Sequence, residues 1–239
     1  MPALPIDSDQ IVVTASRFSE DEAKSPASVF IIDSKKIERV GEPLVPALLR
    51  LAPSVAVTAQ GPAGLFTEVR IRGAENKHTL LFIDGIRAND PASGDFARFE
   101  LLNADLASRI EVVRGPQSAL WGSQAIGGVI AVNGIDNERA LTATAEAGSF
   151  GFVRAAGSAA ADFGRAALAG AIGWQRATGI DSFRGDGDSD GYRNLSGRIR
   201  ATYQIAPAVE LGAAGFALTS RAEFDGFSPV TFERADTDD

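Results

Sequence analysis

The hydrophobic pattern divides the chain near residue 137. Before that point, short runs at 28–32 (SVFII), 54–58 (SVAVT), 68–72 (EVRIR), 79–84 (TLLFID), 109–113 (RIEVV) and 128–133 (GVIAVN) predict strands, because β-branched and aliphatic residues concentrate in them. Helix signals lie between them. Asp33 or Ser34 can cap a helix through Val40 that Gly41 ends. Pro43 suits the first position of a second helix, PLVPALLRL, closed by Pro53. PQSALW at 116–121 predicts one helical turn stopped at Gly122.

Beyond residue 138 the helix signals vanish and alternation takes over. LTATAEAGSF, GFVRAAGSAA, RAALAGAIGWQRA, NLSGRIRATYQI and VELGAAGFALTS are each near the ~9–11 residues of a tilted membrane strand. Turn-rich pieces at 148–151, 162–164 and 206–208 and a long polar stretch at 178–194 separate them. An up-and-down barrel and a soluble β-meander both fit this half. Five strands cannot close a barrel, so the expectation is a wall cut short. Trp174, Phe150 and Phe152 suit an interfacial aromatic girdle or ordinary packing.

A third pattern stands alone near the N-terminus. In DQIVVTASRF (9–18), a run of strong β preference lies between a loose start and the charged SEDEAKSP. Terminal segments are poorly ordered unless something ties them down. The run is either a first sheet strand or a segment awaiting a partner.

Composition narrows the chemistry. A net charge of −8 with no Lys/Arg-rich block argues against nucleic acid. The absence of cysteine removes disulfides, thiol nucleophiles and thiolate metal sites. One histidine, His78, excludes multi-histidine zinc sites, and its place before TLLFID suits a strand end better than a ligand. The glycines of GPQSALWGSQAIGG, including Gly115, Gly122, Gly127 and Gly128, form neither G-x-G-x-x-G after a strand nor a Walker or G-x-S-x-G motif. Catalysis is not expected.

VRIRGAENKHTLLFIDGIRAND (69–90), RIEVVRGPQSALWGSQAIGGVIAVN (109–133) and the N-terminal DQIVVTASRF together resemble the plug domain of TonB-dependent outer-membrane receptors, in the branch that includes cobalamin receptors. IRG, IDG, EVVRGP and GGV elements occur in the family's order over residues 9–136, and Trp121 stands where tyrosine is usual. The resemblance implies an α+β plug domain followed by antiparallel β-strands of an incomplete transmembrane β-barrel, 22-stranded in the full family. It divides the chain into a flexible N-terminus with a TonB box (1–18), a plug (19–137) and the first barrel strands (138–239, truncated).

The resemblance also implies roles. Gln10, Ile11, Val12, Val13, Thr14 and Ala15 would pair with the energy-coupling protein TonB by strand addition, which needs β preference and no internal proline. Outward plug loops at 60–66 and 89–96 would contact substrate through Gln60, Gly64, Leu65, Phe66, Asn89, Ser93 and Asp95. Arg72 and Arg114 match arginines that latch plug to wall, their glutamate partners lying further along the family's chains.

The polar stretch 179–194 contains D-x-D-x-D-G at Asp186, Asp188, Asp190 and Gly191, but Gly197 replaces the bidentate glutamate of an EF-hand. In the cobalamin branch, aspartates of this region bind Ca²⁺. The matching residues are Asp181, Asp188, Asp190 and Asp225, and a solvated acidic loop is the alternative. The function expected is TonB-dependent active transport of a scarce nutrient, cobalamin first, across the outer membrane, with a periplasmic N-terminus and lipid around the wall. An iron–siderophore receptor and a TonB-linked signalling receptor without net transport are the alternatives.

Overall fold

The computed structural model describes residues 11–12, 20–21, 27–134, 141–181, 189–227 and 234–238, with side chains for 27–134, 141–181 and 189–224. A short antiparallel pair, β1 (Ile11–Val12) and β2 (Glu20–Asp21), precedes the plug. Then follow β3 (Ser28–Ile32), α1 (Ser34–Val40), α2 (Val45–Leu49), β4 (Val55–Ala59), β5 (Thr67–Ile71), β6 (Thr79–Ile83), β7 (Ile86–Arg87), β8 (Asn89–Asp90), β9 (Phe96–Ala97), β10 (Arg109–Arg114), α3 (Ser118–Trp121) and β11 (Gly128–Asn133).

Five of these strands form a mixed sheet in the order β3-β10-β11-β6-β7, in which only β11 and β6 run parallel. Its two faces are both covered. Ile110, Val112, Ile130, Val132, Leu81 and Ile83 pack with Leu48, Leu49, Phe99 and Leu102 on one side. Leu80, Phe82, Val113, Val129 and Ala131 pack with Ala125 and Trp121 on the other. That double burial explains why LLFI (80–83) and VIAV (129–132) are unbroken apolar runs, since a strand buried on both faces loses its alternation. The ring of Trp121 lies 4.5 Å from that of Phe82.

Local rules held where nothing distant competed. The Asp33 side chain accepts a hydrogen bond from Lys36 N at 2.7 Å, and Gly41 closes α1 with φ +71°. The second helix departs from expectation. It runs from Val45 to Leu49 with Leu44 as its N-cap, so Pro43 stays outside and Pro53 does not close it. Leu44 bridges Asn103, and Val45 N donates to Leu102 O, so a tertiary contact fixes the start. The strands expected at 54–58 and 68–72 slide by one residue, into a hairpin with Val57 opposite Val69.

Residue 141 begins a six-stranded antiparallel sheet, one strand more than expected: β12 (Leu141–Ala147), β13 (Val153–Asp162), β14 (Ala166–Ile180), β15 (Asp190–Ala206), β16 (Val209–Phe227) and β17 (Arg234–Asp238). Short turns at 163–165 and 207–208 lie at one end of this sheet, while the 148–152 turn lies at the other, where Thr178 N donates to Phe150 O. The polar stretch is thus shorter than 178–194, because β14 and β15 extend into it. Among the described residues no helix is long and apolar enough to cross a membrane, which says nothing of strands.

The alternation of β15 sorts its residues. Tyr192, Asn194, Ser196 and Arg198 are buried toward the plug, whereas Arg193, Leu195 and Ile199 are exposed on the far face. Phe216 and Leu218 of β16 reach the plug core. The plug therefore sits against the inner face of the wall.

Candidate functional site

The seam between plug and wall is polar and specific. Asp84 ends the IDG motif: with φ +49° it and Gly85 (φ +83°) form the two-residue turn that joins β6 to β7, the conformation for which Asp-Gly is favoured. This turn aims the Asp84 carboxylate at the wall, where Arg198 Nη1 lies 3.4 Å away and also donates to Val132 O at 3.3 Å. Asp84 accepts a second hydrogen bond from Gly134 N at the exit from the plug. Arg198 is buried, so the ion pair is shielded from water.

Arg154 of β13 makes a second grip. It lies 3.4 Å from Asp105 of the plug, donates to Gly41 O at 2.9 Å, and is held by Glu146 of β12 at 2.8 Å. Burial pushes the Asp105 carboxyl above the ordinary carboxylate range; Arg154 opposes this and Glu146 adds to it. A cavity of about 410 Å³ opens beside this contact, with Glu38, Glu42, Asp105 and Arg154 among its lining residues. Asn194 Nδ2 adds a bond to Leu101 O at 3.0 Å.

The two expected substrate loops meet. Phe66 and Phe96 stack edge to face with centroids 5.8 Å apart, and Gln60 N donates to Phe66 O to close the 60–66 loop. Gly64 at its tip lies against Tyr192, and Thr67 Oγ1 donates to Leu65 O. Tyr192 lies near the start of β15, so this plug loop reaches the end of the wall that carries the 148–152 turn. Asp95, with φ +64°, receives Arg87 at 3.0 Å and also Gln124. Ser93 donates to Asp90 O. The Asp90 carboxyl is held below its usual range, first by the Ala92 backbone N–H and then by Ser93. Asn89 differs from expectation. It is buried, accepting from Leu81 N and donating to Thr79 O and Asp95 O, so it shapes the loop from beneath rather than facing a solute.

Arg72 and Arg114 lie at the same edge of the plug. Arg72, with φ +53°, sits with its guanidinium over Gly115, and Arg114 Nη1 donates to Pro53 O at 3.2 Å. Arg114 Nε is buried with no hydrogen-bond partner among the described residues. Neither arginine has a carboxylate partner among them.

Of the TonB-box residues, Ile11 and Val12 pair with Asp21 and Glu20, while Gln10, Val13, Thr14 and Ala15 lie outside the described residues. Asp181 is exposed at the end of β14, and Asp190 is a buried strand residue opposite Ile180 rather than a loop residue. Asp225 pairs with Asp236 in the ladder of β16 and β17; Asp188 lies outside the described residues. Among the described residues no three acidic or histidine side chains converge as a metal site. The grips by Arg198 and Arg154 escaped the sequence reading; their signal was a charged residue at an inward position of an alternating strand.

The sequence matches the TonB-dependent Receptor Plug Domain family over residues 21–129. A protein named Vitamin B12 transporter BtuB from Vibrio vulnificus (strain YJ016) is 38% identical over 131 residues, covering 55% of this chain and 21% of that one. Its namesake from Photobacterium profundum is 29% identical over 230 residues, covering 91% and 36%. The chain thus spans well under half the length of either relative. Among solved structures, the pyoverdine outer membrane receptor FpvA from Pseudomonas aeruginosa PAO1 superposes with a TM-score of 0.75 at 16% identity, covering 91% of this chain and 31% of that one. The siderophore receptor PiuA from Acinetobacter baumannii gives 0.72 at 21%, covering 92% and 30%.

Proposed function

We propose, from the match of residues 21–129 to the TonB-dependent Receptor Plug Domain family, that the chain supplies the plug and wall strands of an outer-membrane receptor for TonB-dependent active transport of a scarce nutrient. The observation that carries the reading is the plug seated on the wall's inner face through Arg198–Asp84 and Arg154–Asp105. A plug held by a few polar grips is blocked at rest and releasable under load.

In this reading the protein performs no chemistry. Nutrient arrives at the end of the wall beside Tyr192 and meets the joined 60–66 and 89–96 loops. TonB adds a strand to residues 10–15 on the periplasmic side, where main-chain hydrogen bonds give affinity without demanding a particular side chain. Force on that strand then rearranges the plug. Asp181, Asp188 and Asp190 would be the residues to hold Ca²⁺, a role that loss of calcium-dependent substrate affinity in Asp188→Asn would support and unchanged affinity would remove.

Cobalamin is the leading substrate because the two relatives described above are named vitamin B12 transporters. A ferric siderophore is the second reading, favoured by the solved neighbours, whose identities of 16–21% speak to fold alone. The test is uptake of labelled cobalamin by the full-length receptor in cells lacking their own cobalamin receptor, with and without TonB. TonB-dependent accumulation is expected. Uptake of ferric siderophore instead would move the substrate, and absence of both would overturn the transport reading.

A further inference from the structure

Every polar group of Asp95 is held. Asp95 N donates to Asp90 O at 2.9 Å, and Asp95 O accepts from Asn89 Nδ2 at 2.9 Å. Both carboxylate oxygens are occupied as well: Oδ1 accepts from Arg87 Nη2 at 3.0 Å, and Oδ2 accepts from Gln124 Nε2. Arg87 Nη2 also donates to Gln124 Oε1, which closes a triangle of three side chains. Charge-assisted bonds of this kind are the stronger ones.

The residue so held is strained. Asp95 has φ +64° directly after Gly94 at +84°, and a non-glycine residue stays in that region only where its surroundings over-determine it. An isolated ion pair this exposed would be a poor brace, because such pairs contribute little alone. Here the two anchors are themselves fixed. Arg87 belongs to β7 at the edge of the plug sheet, opposite Phe82. Gln124 precedes Ala125, which is buried with Leu80 and Val129. Gln117 N donates to Ala125 O at 2.8 Å and Gly127 N to His78 O at 3.0 Å, so this segment is tied to the body of the plug. The residue after Asp95 is Phe96, which pairs with Asp90 across β8 and β9 and meets the Phe66 ring edge to face.

We propose that Arg87 and Gln124 are positioning residues: they clamp Asp95 and so preset Phe96 against Phe66 as a rigid aromatic platform for the apolar part of the arriving solute. The inference rests on reading 60–66 and 89–96 as the solute-binding loops. Asp95 then serves the loop and not the solute, because its carboxylate is already occupied. Rings set in place beforehand lose little freedom on binding, so more of the contact energy appears as affinity. Gln124 lies 29 positions beyond Asp95 and outside both loops, so a direct contact between Asp95 and the solute gives it no part to play.

The experiment uses the full-length receptor in mild detergent, as wild type, Gln124→Ala, Gln124→Glu and the double variant Asp95→Asn/Gln124→Glu. It measures amide hydrogen exchange over residues 91–97 with no solute present, affinity for cobalamin, and the unfolding midpoint. Both single variants remove the donor to Asp95. Each should speed exchange ~10-fold and weaken cobalamin binding ~5-fold, the worth of about one net hydrogen bond, with the midpoint unmoved. The double variant moves the carboxylate to position 124 and the amide donor to position 95, keeping the bonds and the net charge. Exchange and affinity should both return near wild type. Restored slow exchange with binding still lost would mean that the solute contacts the Asp95 carboxylate, and would overturn the proposal. So would unchanged exchange in the single variants, or a midpoint that falls in step with affinity, the mark of a contact that merely supports the fold. A wild type that binds neither cobalamin nor a ferric siderophore defeats the transport reading instead, and the exchange arm, which needs no solute, then decides the clamp by itself.

Discussion

Gly64 of the plug lies so close to Tyr192 of the wall that a Cβ added to the glycine would come within 2.3 Å of the tyrosine ring. Gly64 also has φ +93°, where any side chain is strained. Gly64→Ala should therefore loosen the joint between the 60–66 loop and β15 and cost about 1–3 kcal/mol, the usual range for overpacking. Comparing chemical denaturation of the full-length variant with wild type checks this. A change below about 0.5 kcal/mol, the size of an ordinary surface substitution, would mean the contact yields freely.

The Asp84–Arg198 pair should be asymmetric. Removing the carboxylate in Asp84→Ala leaves a buried guanidinium uncompensated, for which a loss of about 3–5 kcal/mol is typical. Arg198→Met removes the charge that needs compensating and should cost less. Denaturation midpoints of the two variants decide the order. If Arg198→Met is the worse, the pair matters chiefly for packing of the arginine stem.

Asp105 makes a pH prediction. Its carboxyl is raised by burial, so the folded protein holds that proton to higher pH than the unfolded chain, whose value is about 3.9. Between those two values the folded state binds more protons, and this group's contribution to stability falls as pH rises. Asp105→Asn cannot titrate. Its stability relative to wild type should improve from pH 3.5 (roughly below the unfolded value) to pH 7, measured by thermal unfolding across that range. A relative stability that falls with pH would mean Arg154 outweighs burial.

At the N-terminus, Val12→Pro removes a main-chain donor and fixes φ. Coupled uptake should be abolished while nutrient binding at the cell surface is unchanged. Because Val12 pairs with Glu20, a weakened internal β1–β2 pair would accompany the loss. Transport at wild-type rate in this variant argues that strand addition at residues 10–15 is not the coupling contact.

Local signals carried most of the fold. The cap at Asp33, the stop at Gly41 and the apolar run of β6 all depend on residues a few positions apart, whereas Asp84, expected as a strand end, belongs to the turn with Gly85. What escaped notice depended on distance or brevity. The start of α2 is set by Leu102 and Asn103, half the plug away, and β7, β8 and β9 are two residues long each. Arg198 and Asp84 are separated by 114 positions, so neither predicts the other from sequence. The substrate loops were legible as loops, yet their meeting through Phe66 and Phe96 was not, and Asn89 looked available because burial is invisible in a short polar stretch.

The place of β3 in the plug sheet has a mechanical meaning. It is an edge strand, bound by its ladder only to β10, with Ser28 opposite Arg114 at one end and Ile32 opposite Ile110 near the other. A tether pulled at Ser28 away from β10 would break the rungs one after another, like a zipper, at low force. The same tether pulled along the strand axis would load the rungs together, in shear, and resist far more. The angle of traction, as much as its strength, would decide whether β3 peels away while β10, β11, β6 and β7 remain a closed ladder.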